Sequence, residues 1–194
     1  MGHSFFAMLS RMKYISRWAL MRNTSGETLS EHSLETAYLA HALAEMHNRR
    51  FGGSVDVGKV VLLAMYHDAP EILTGDMPTP VKYFNATLRA AYGDVERAAS
   101  ERLLSTLPDD LRPAYEPLLA EDGGLEHRLV KAADKLSALI KCIEERKAGN
   151  KEFATAEQTT LDSLRAMDMP EVQCFLDEFI PTYTLTLDES FQLS

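Results

Sequence analysis

At 194 residues with 45% hydrophobic content, the chain is long enough for one domain with a sizeable core, and too short for two to be expected. A formal net charge of -9 repels the phosphates of nucleic-acid polymers and anionic membranes over most of the surface, but a small phosphorylated ligand can still be held by one local basic group. The only cysteines, Cys142 and Cys174, lack CxxC spacing; they exclude a disulfide framework and point to a reducing compartment, the cytoplasm.

The start, "MGHSFFAMLSRMKY", has neither the uninterrupted apolar run nor the small-residue cleavage site of a secretory signal. Phe6 stands where myristoylation after Met1-Gly2 needs Ser or Thr. No apolar stretch approaches the roughly 20 residues of a membrane span.

Helical periodicity dominates, so the expected class is all-α. The spacing predicts a first helix over Phe5 to Ile15, with Phe5, Leu9, Met12 and Ile15 near one face. A second begins at Ser30 as N-cap, with Glu31 in its first turn, carries Leu34, Ala37, Leu39, Ala40 and Leu43 inward, and is broken by "FGGS". The third, "DVGKVVLLAMYH", is apolar nearly throughout, which predicts a central place in the core. It stops near His67, because Pro70 disfavours helical geometry in the residue before it. Gly75 and the prolines of "DMPTP" predict an irregular or extended segment. "VKYFNATLRAAYGDVERAASERLL" reads as a long amphipathic helix, "PDDLRPAYEPLLAED" as a shorter one, and "GLEHRLVKAADKLSALIKCIEERKAGN" as a long one ending before Gly149. Two more follow, about Glu152 to Met167 and Glu171 to Phe179. Thr182 to Leu187 alternates too briefly to build a sheet.

Three places offer metal ligands near the ends or inside apolar helices: His32 in "LSEHSLE", His67-Asp68 in "MYHDAPE" and Asp134 in "VKAADKLSAL". A lone histidine on an amphipathic helix is commonly just hydrogen-bonded or exposed, and His41 and His47 are read that way. Asp134 lies among Leu129, Val130, Ala133, Leu136, Leu139 and Ile140, where a carboxylate must be paired or bound to a cation; Lys131 and Lys135 are alternative partners. Successive helical side chains diverge by roughly 100°, so His67 and Asp68 can share an ion only where the helix is ending. A last helical turn keeps Glu71 on their side, an acid/base group beside a metal site.

The order His…His-Asp…Asp over helical sequence resembles the HD-domain superfamily of metal-dependent phosphohydrolases. "SRWALMRN", "SEHSLETAYLAHALA", "LLAMYHDAPEILTGDMPTPVKYFN" and "LVKAADKLSALIKCIEE" look like the bacterial YfbR-type 5'-deoxynucleotidases, whose "SLDE"-like tail is echoed by "TLDES". Pro70 is the one departure, and it touches no chemical group. The resemblance implies an HD-domain helical bundle over 1–194, with a metal-site core at about 28–149, an N-terminal substrate-binding segment and C-terminal helices.

It further implies His32, His67, Asp68 and Asp134 as ligands of one divalent transition metal, with Glu71 and Asp76 as catalytic acid/base groups. Arg17 would hold the phosphate and Trp18 would lie against the deoxyribose. Asp76, Met77, Pro78 and Thr79 would border the sugar and the reaction centre, with His32 and Asp134 also facing the substrate. Two imidazoles and two carboxylates suit Zn, Mn, Co, Ni or Fe more than Ca. The implied reaction is hydrolysis of deoxyribonucleoside 5'-monophosphates by a metal-activated water, with low base selectivity, in a cytoplasmic homodimer without nucleic-acid-polymer or membrane partners. Two alternatives share these ligands: an HD-type phosphohydrolase acting on another nucleotide, and a helical scaffold whose metal is structural. Spare acid/base groups at Glu71 and Asp76 argue against the scaffold.

Overall fold

The computed structural model describes residues 2–82, 84–120 and 123–192. Among them the helices are α1 Phe5–Leu9, α2 Leu29–Arg50, α3 Val57–Tyr66, α4 Glu71–Thr74, α5 Thr79–Lys82, α6 Ala86–Leu104, α7 Arg112–Leu119, α8 Leu125–Lys147, α9 Ala154–Arg165, α10 Pro170–Glu178 and α11 Leu187–Ser190. The described residues contain no strand, only an isolated antiparallel bridge between Ser16 and Thr28. The all-α expectation holds.

The centre is α2 against α3 and α8, with α9 and α10 closing the far side. Leu43, Leu129, Leu136, Leu139 and Ile140 are sealed between them. Each such side chain contributes about 1.5–3 kcal/mol relative to exposure. A smaller cluster of Phe5, Ala69, Leu103, Leu104 and Leu107 fixes α1 and α6 against the turn that follows α3. Both clusters hold the stretch around His67 and Asp68, one from each side.

Several local expectations need correction. The N-cap of α2 is Thr28, not Ser30: its side chain accepts from Glu31 N–H while the Glu31 carboxylate accepts from Thr28 N–H, a capping box. Leu34 points outward, half exposed. The first helix tightens into a 3₁₀ turn over Ser10–Tyr14. In α3 only Val60, Leu63 and Ala64 are buried, whereas Leu62 and Met65 are 44% and 43% exposed; the apolar composition exceeds the face that meets α2 and α8. The segment after Gly75 is irregular only as far as Pro78, and Thr79–Lys82 then makes one helical turn. The following long helix starts only at Ala86, where Asn85 accepts from Leu88 N–H. The tail folds into a 3₁₀ turn and α11, capped by Thr186. Tyr83, Glu121 and Asp122, inside predicted helical runs, lie outside the described residues.

Candidate metal centre and substrate cleft

His32 comes from the first turns of α2, where the Thr28 capping box sets its register, and it is fully buried. His67 is the C-cap of α3, with Asp68 in the turn after it. The chain ends α3 here and starts α4 after Pro70, so two adjacent side chains can face one point. Asp134 projects from the middle of α8.

His32 Nε2 is 3.1 Å from Asp134 Oδ1 and 3.5 Å from Asp68 Oδ2, and His67 Nε2 is 3.2 Å from Asp68 Oδ2. Ligand atoms of His32, His67 and Asp68 all lie within 4.8 Å of one another, and Asp134 joins through His32. Its side chain is 41% exposed, so Asp134 is not sealed in the apolar core its neighbours implied.

The tautomers follow from the outer bonds. His67 Nδ1–H donates to Ala64 O at 2.7 Å, which leaves the Nε2 lone pair toward the cluster. Ser137 donates its hydroxyl to Glu35 Oε2 at 2.6 Å, so its oxygen accepts from His32 Nδ1–H at 3.0 Å. Both imidazoles thus turn a bare nitrogen inward, the arrangement of ligating histidines. His67 Nε2 is buried with no hydrogen-bond partner, and buried polar atoms are rarely left so. Two such nitrogens and two carboxylates fit a divalent transition metal.

Burial disfavours the His67 cation, but without an ion in the cage the charges of Asp68 and Asp134 win and push its pKa up to about 9, so a metal entering there takes the place of the proton on Nε2. Burial likewise opposes ionised Asp68 and Asp134, yet the imidazoles hold both carboxyls below the usual range. Glu71, buried at the start of α4, is pushed up to about 9 by burial and then by Asp68 and Asp76. Its Oε2 has no hydrogen-bond partner. Asp76 follows Gly75, whose φ of 75° admits glycine and few other residues; burial raises its pKa against the pull of Arg17.

Arg17 Nη1 reaches Asp68 Oδ2 at 3.4 Å, and its buried Nε donor has no hydrogen-bond partner. Trp18 occupies the left-handed region at φ 59°, rare for a bulky residue. Its backbone lies near enough to the Asp76 carboxylate to help hold that group's pKa down against burial. Its indole packs against Phe153, ring centroids 5.4 Å apart. Met77 and Pro78 continue from Asp76, and Thr79 is exposed at the start of α5; no side-chain hydrogen bond ties these three to the cluster.

Sequence reasoning missed Glu27, Glu35, Ser137 and Glu145. Glu145 is buried and accepts from Thr24 N–H and Oγ1–H, Asn150 Nδ2 and Lys141 Nζ. That anchors the loop carrying Arg17 and Trp18 to the end of α8. The polar residue inside the apolar repeat of "LIKCIEE" was its only trace.

Comparison with known proteins gives a consistent result. The model of the family "5'-deoxynucleotidase YfbR-like" matches residues 4–183. The 5'-deoxynucleotidase YfbR of Shigella flexneri serotype 5b is 49% identical over 190 residues, 97% of this chain and 96% of the relative. An HD-domain phosphohydrolase from Listeria innocua superposes with a TM-score of 0.83 at 28% identity, covering 94% of this chain and 90% of that one. The cyanophage S-2L HD phosphohydrolase DatZ, bound to dA and one catalytic Zn2+ ion, superposes with a TM-score of 0.62 at 20% identity, covering 93% and 96%; that likeness is one of fold.

Proposed function

This chain belongs to the YfbR-like family of 5'-deoxynucleotidases, and from that premise we infer how its residues share the reaction. It is a metal-dependent hydrolase of the HD-domain fold that releases phosphate from deoxyribonucleoside 5'-monophosphates. The observation that carries the reading is the buried, unpartnered His67 Nε2 facing His32 and Asp68.

His32, His67, Asp68 and Asp134 hold one divalent ion, of the group Co, Mn, Zn, Ni and Fe. When bound, the ion supplies Lewis acidity, making water nucleophilic near neutral pH and drawing charge from the phosphoryl oxygens. Arg17 binds the phosphate through its guanidinium, whose fixed charge offsets the charge on the phosphoryl oxygens. Water oxygen bonds to phosphorus as the bond to O5' breaks; Glu71 and Asp76 share the transfer of the proton lost by water and gained by O5'. Trp18 lies on the C2' side of the deoxyribose, where an added hydroxyl loses water without gaining a partner, at about 1–3 kcal/mol. Asp76 and Thr79 bond the 3'-hydroxyl, and Met77 and Pro78 border the sugar.

The whole chain, 1–194, acts as one domain around the metal-site core at about 28–149, and works as a cytoplasmic homodimer. The apolar pair Leu62 and Met65 on the outside of α3 supports the dimer. No described helix is long and apolar enough to cross a membrane. The charge of -9 favours small nucleotides over nucleic-acid polymers.

The test is kcat/KM for dAMP, dCMP, dTMP and AMP with several divalent metals. Release from all three deoxynucleotides, with AMP slower by about one to two powers of ten, is expected. AMP turned over as fast as dAMP makes the chain a general nucleotidase. Selectivity that survives Trp18→Ala removes the steric role of Trp18.

A further inference from the structure

One carboxylate behind the cleft meets three of the groups assigned above. Glu27 Oε2 accepts the indole N–H of Trp18 at 2.7 Å. Glu27 Oε1 lies 3.4 Å from His32 Nδ1 and 3.7 Å from Arg17 Nε. The backbone repeats the connection, since Arg17 N–H donates to Glu27 O at 2.9 Å beside the Ser16–Thr28 bridge. The Glu27 side chain is 12% exposed, so these contacts are screened little by water. Burial raises its pKa, yet the contact with His32 and the charge of Arg17 hold the carboxyl below its ordinary value.

We propose that Glu27 is a positioning residue for hydrolysis, a single carboxylate that fixes the phosphate-binding arginine, the sugar-facing tryptophan and a metal-ligating histidine in one frame. This rests on the roles assigned above to Arg17, Trp18 and His32. Three features make the carboxylate necessary. Trp18 sits at φ 59°, and such backbone persists only where its surroundings over-determine it; the bond to Glu27 is one of those constraints. The groups facing Glu27 are all donors: Arg17 Nε–H, Trp18 Nε1–H and His32 Nδ1–H. An acceptor-only anion suits all three, bonding the Trp18 N–H at 2.7 Å and holding His32 Nδ1 and Arg17 Nε by its charge at 3.4 and 3.7 Å, whereas an amide turns an NH2 toward at least one of them. The contact at His32 Nδ1 also helps keep the proton on that nitrogen and Nε2 bare, the outer-bond effect that tunes a ligating imidazole.

Glu27→Gln is therefore nearly isosteric and chemically wrong. Trp18 is the only tryptophan in the chain, so its fluorescence reports the Glu27 bond directly. In Glu27→Gln the emission is expected to shift. Co2+ affinity, followed by visible absorption of the metal-stripped protein, should fall about tenfold or more. With saturating metal, kcat/KM for dAMP should fall about 30-fold or more, and the dAMP/AMP ratio should narrow. A merely structural role lowers Tm but leaves Co2+ affinity and the sugar ratio unmoved in protein that is still folded. Glu27→Gln with both of these and kcat/KM within twofold of the parent overturns the proposal, whatever its Tm. If that variant does not fold, Trp18→Phe decides: it keeps an aromatic ring at this position and deletes the donor to Glu27 together with part of the indole's bulk. It should narrow the sugar ratio and leave Co2+ affinity intact; a sugar ratio equal to the parent's overturns the frame. Should the parent itself leave dAMP intact, the functional reading fails on its own, and unchanged emission and Co2+ affinity in Glu27→Gln then overturn the frame separately.

Discussion

Arg17 Nη1 stands 3.4 Å from Asp68 Oδ2, which brings the cation assigned to the phosphate to the rim of the cage assigned to the metal. A phosphoryl oxygen can then lie against both. Arg17→Ala is expected to lower kcat/KM roughly 10- to 100-fold, the worth of a charge-assisted hydrogen bond. Lysine should not restore it, because it lacks the fork geometry. Removing a positive charge beside Asp68 should leave Co2+ affinity equal or tighter. Weaker Co2+ binding in Arg17→Ala would mean that the residue organises the cage instead.

The proposed ligands come from α2, the end of α3 and α8, elements assembled only in the folded state, so metal should bind that state alone. Ion at about 100 times its Kd adds ~2.7 kcal/mol, which for a chain of this size raises Tm by roughly 5–10 °C. Chelation should reverse the rise and abolish phosphate release, and either Co2+ or Mn2+ should restore both. Asp134→Ala should shrink the thermal increment. A Tm indifferent to metal contradicts the ligand set.

Glu71 carries a pKa raised to about 9 by burial and by its neighbouring carboxylates. The unfolded chain releases this proton near the ordinary 4.5 and the folded chain retains it to about 9. Stability from this group is therefore full below the lower value and is lost as pH rises through the window. Metal-free Glu71→Gln should melt higher than the parent at pH 8.5, with the gap closing toward pH 5.5. Its turnover with metal should fall roughly 100-fold or more, with nucleotide still bound. Near-parental turnover would remove Glu71 from proton transfer.

The buried Glu145 has the opposite sign. Burial alone would raise its pKa, but the donors from Lys141, Thr24 and Asn150 hold the carboxyl well below its usual range. Its contribution is present above about pH 4.5 and is lost as pH falls further. Glu145→Ala leaves Lys141 buried without its ion pair and should cost about 3–5 kcal/mol. Because the same carboxylate anchors Thr24 and Ser25, KM for dAMP should rise more than kcat falls. Equal stability of variant and parent at pH 7 would show that the loop is held elsewhere.

The sequence alone determined the helical class and the end of α3 near His67, which rest on local rules, apolar period and proline stereochemistry; the proposal of His32, His67, Asp68 and Asp134 as ligands came from the resemblance of their motifs to the HD-domain superfamily. Leu34 and the N-cap at Thr28 escaped those rules, because composition does not say which flank of a helix meets its neighbours. Only the tertiary structure decided that Asp134 is partly exposed beside His32, that Ser137 and Ala64 fix the imidazole tautomers, and that Glu27 and Glu145 bind the loop of Arg17 and Trp18. Those partners are far apart in the chain, Glu145 and Thr24 by 121 residues, or lie in a loop without periodicity. Pairing at such separations depends on how the helices pack, and packing energy belongs to the assembled core rather than to any one segment.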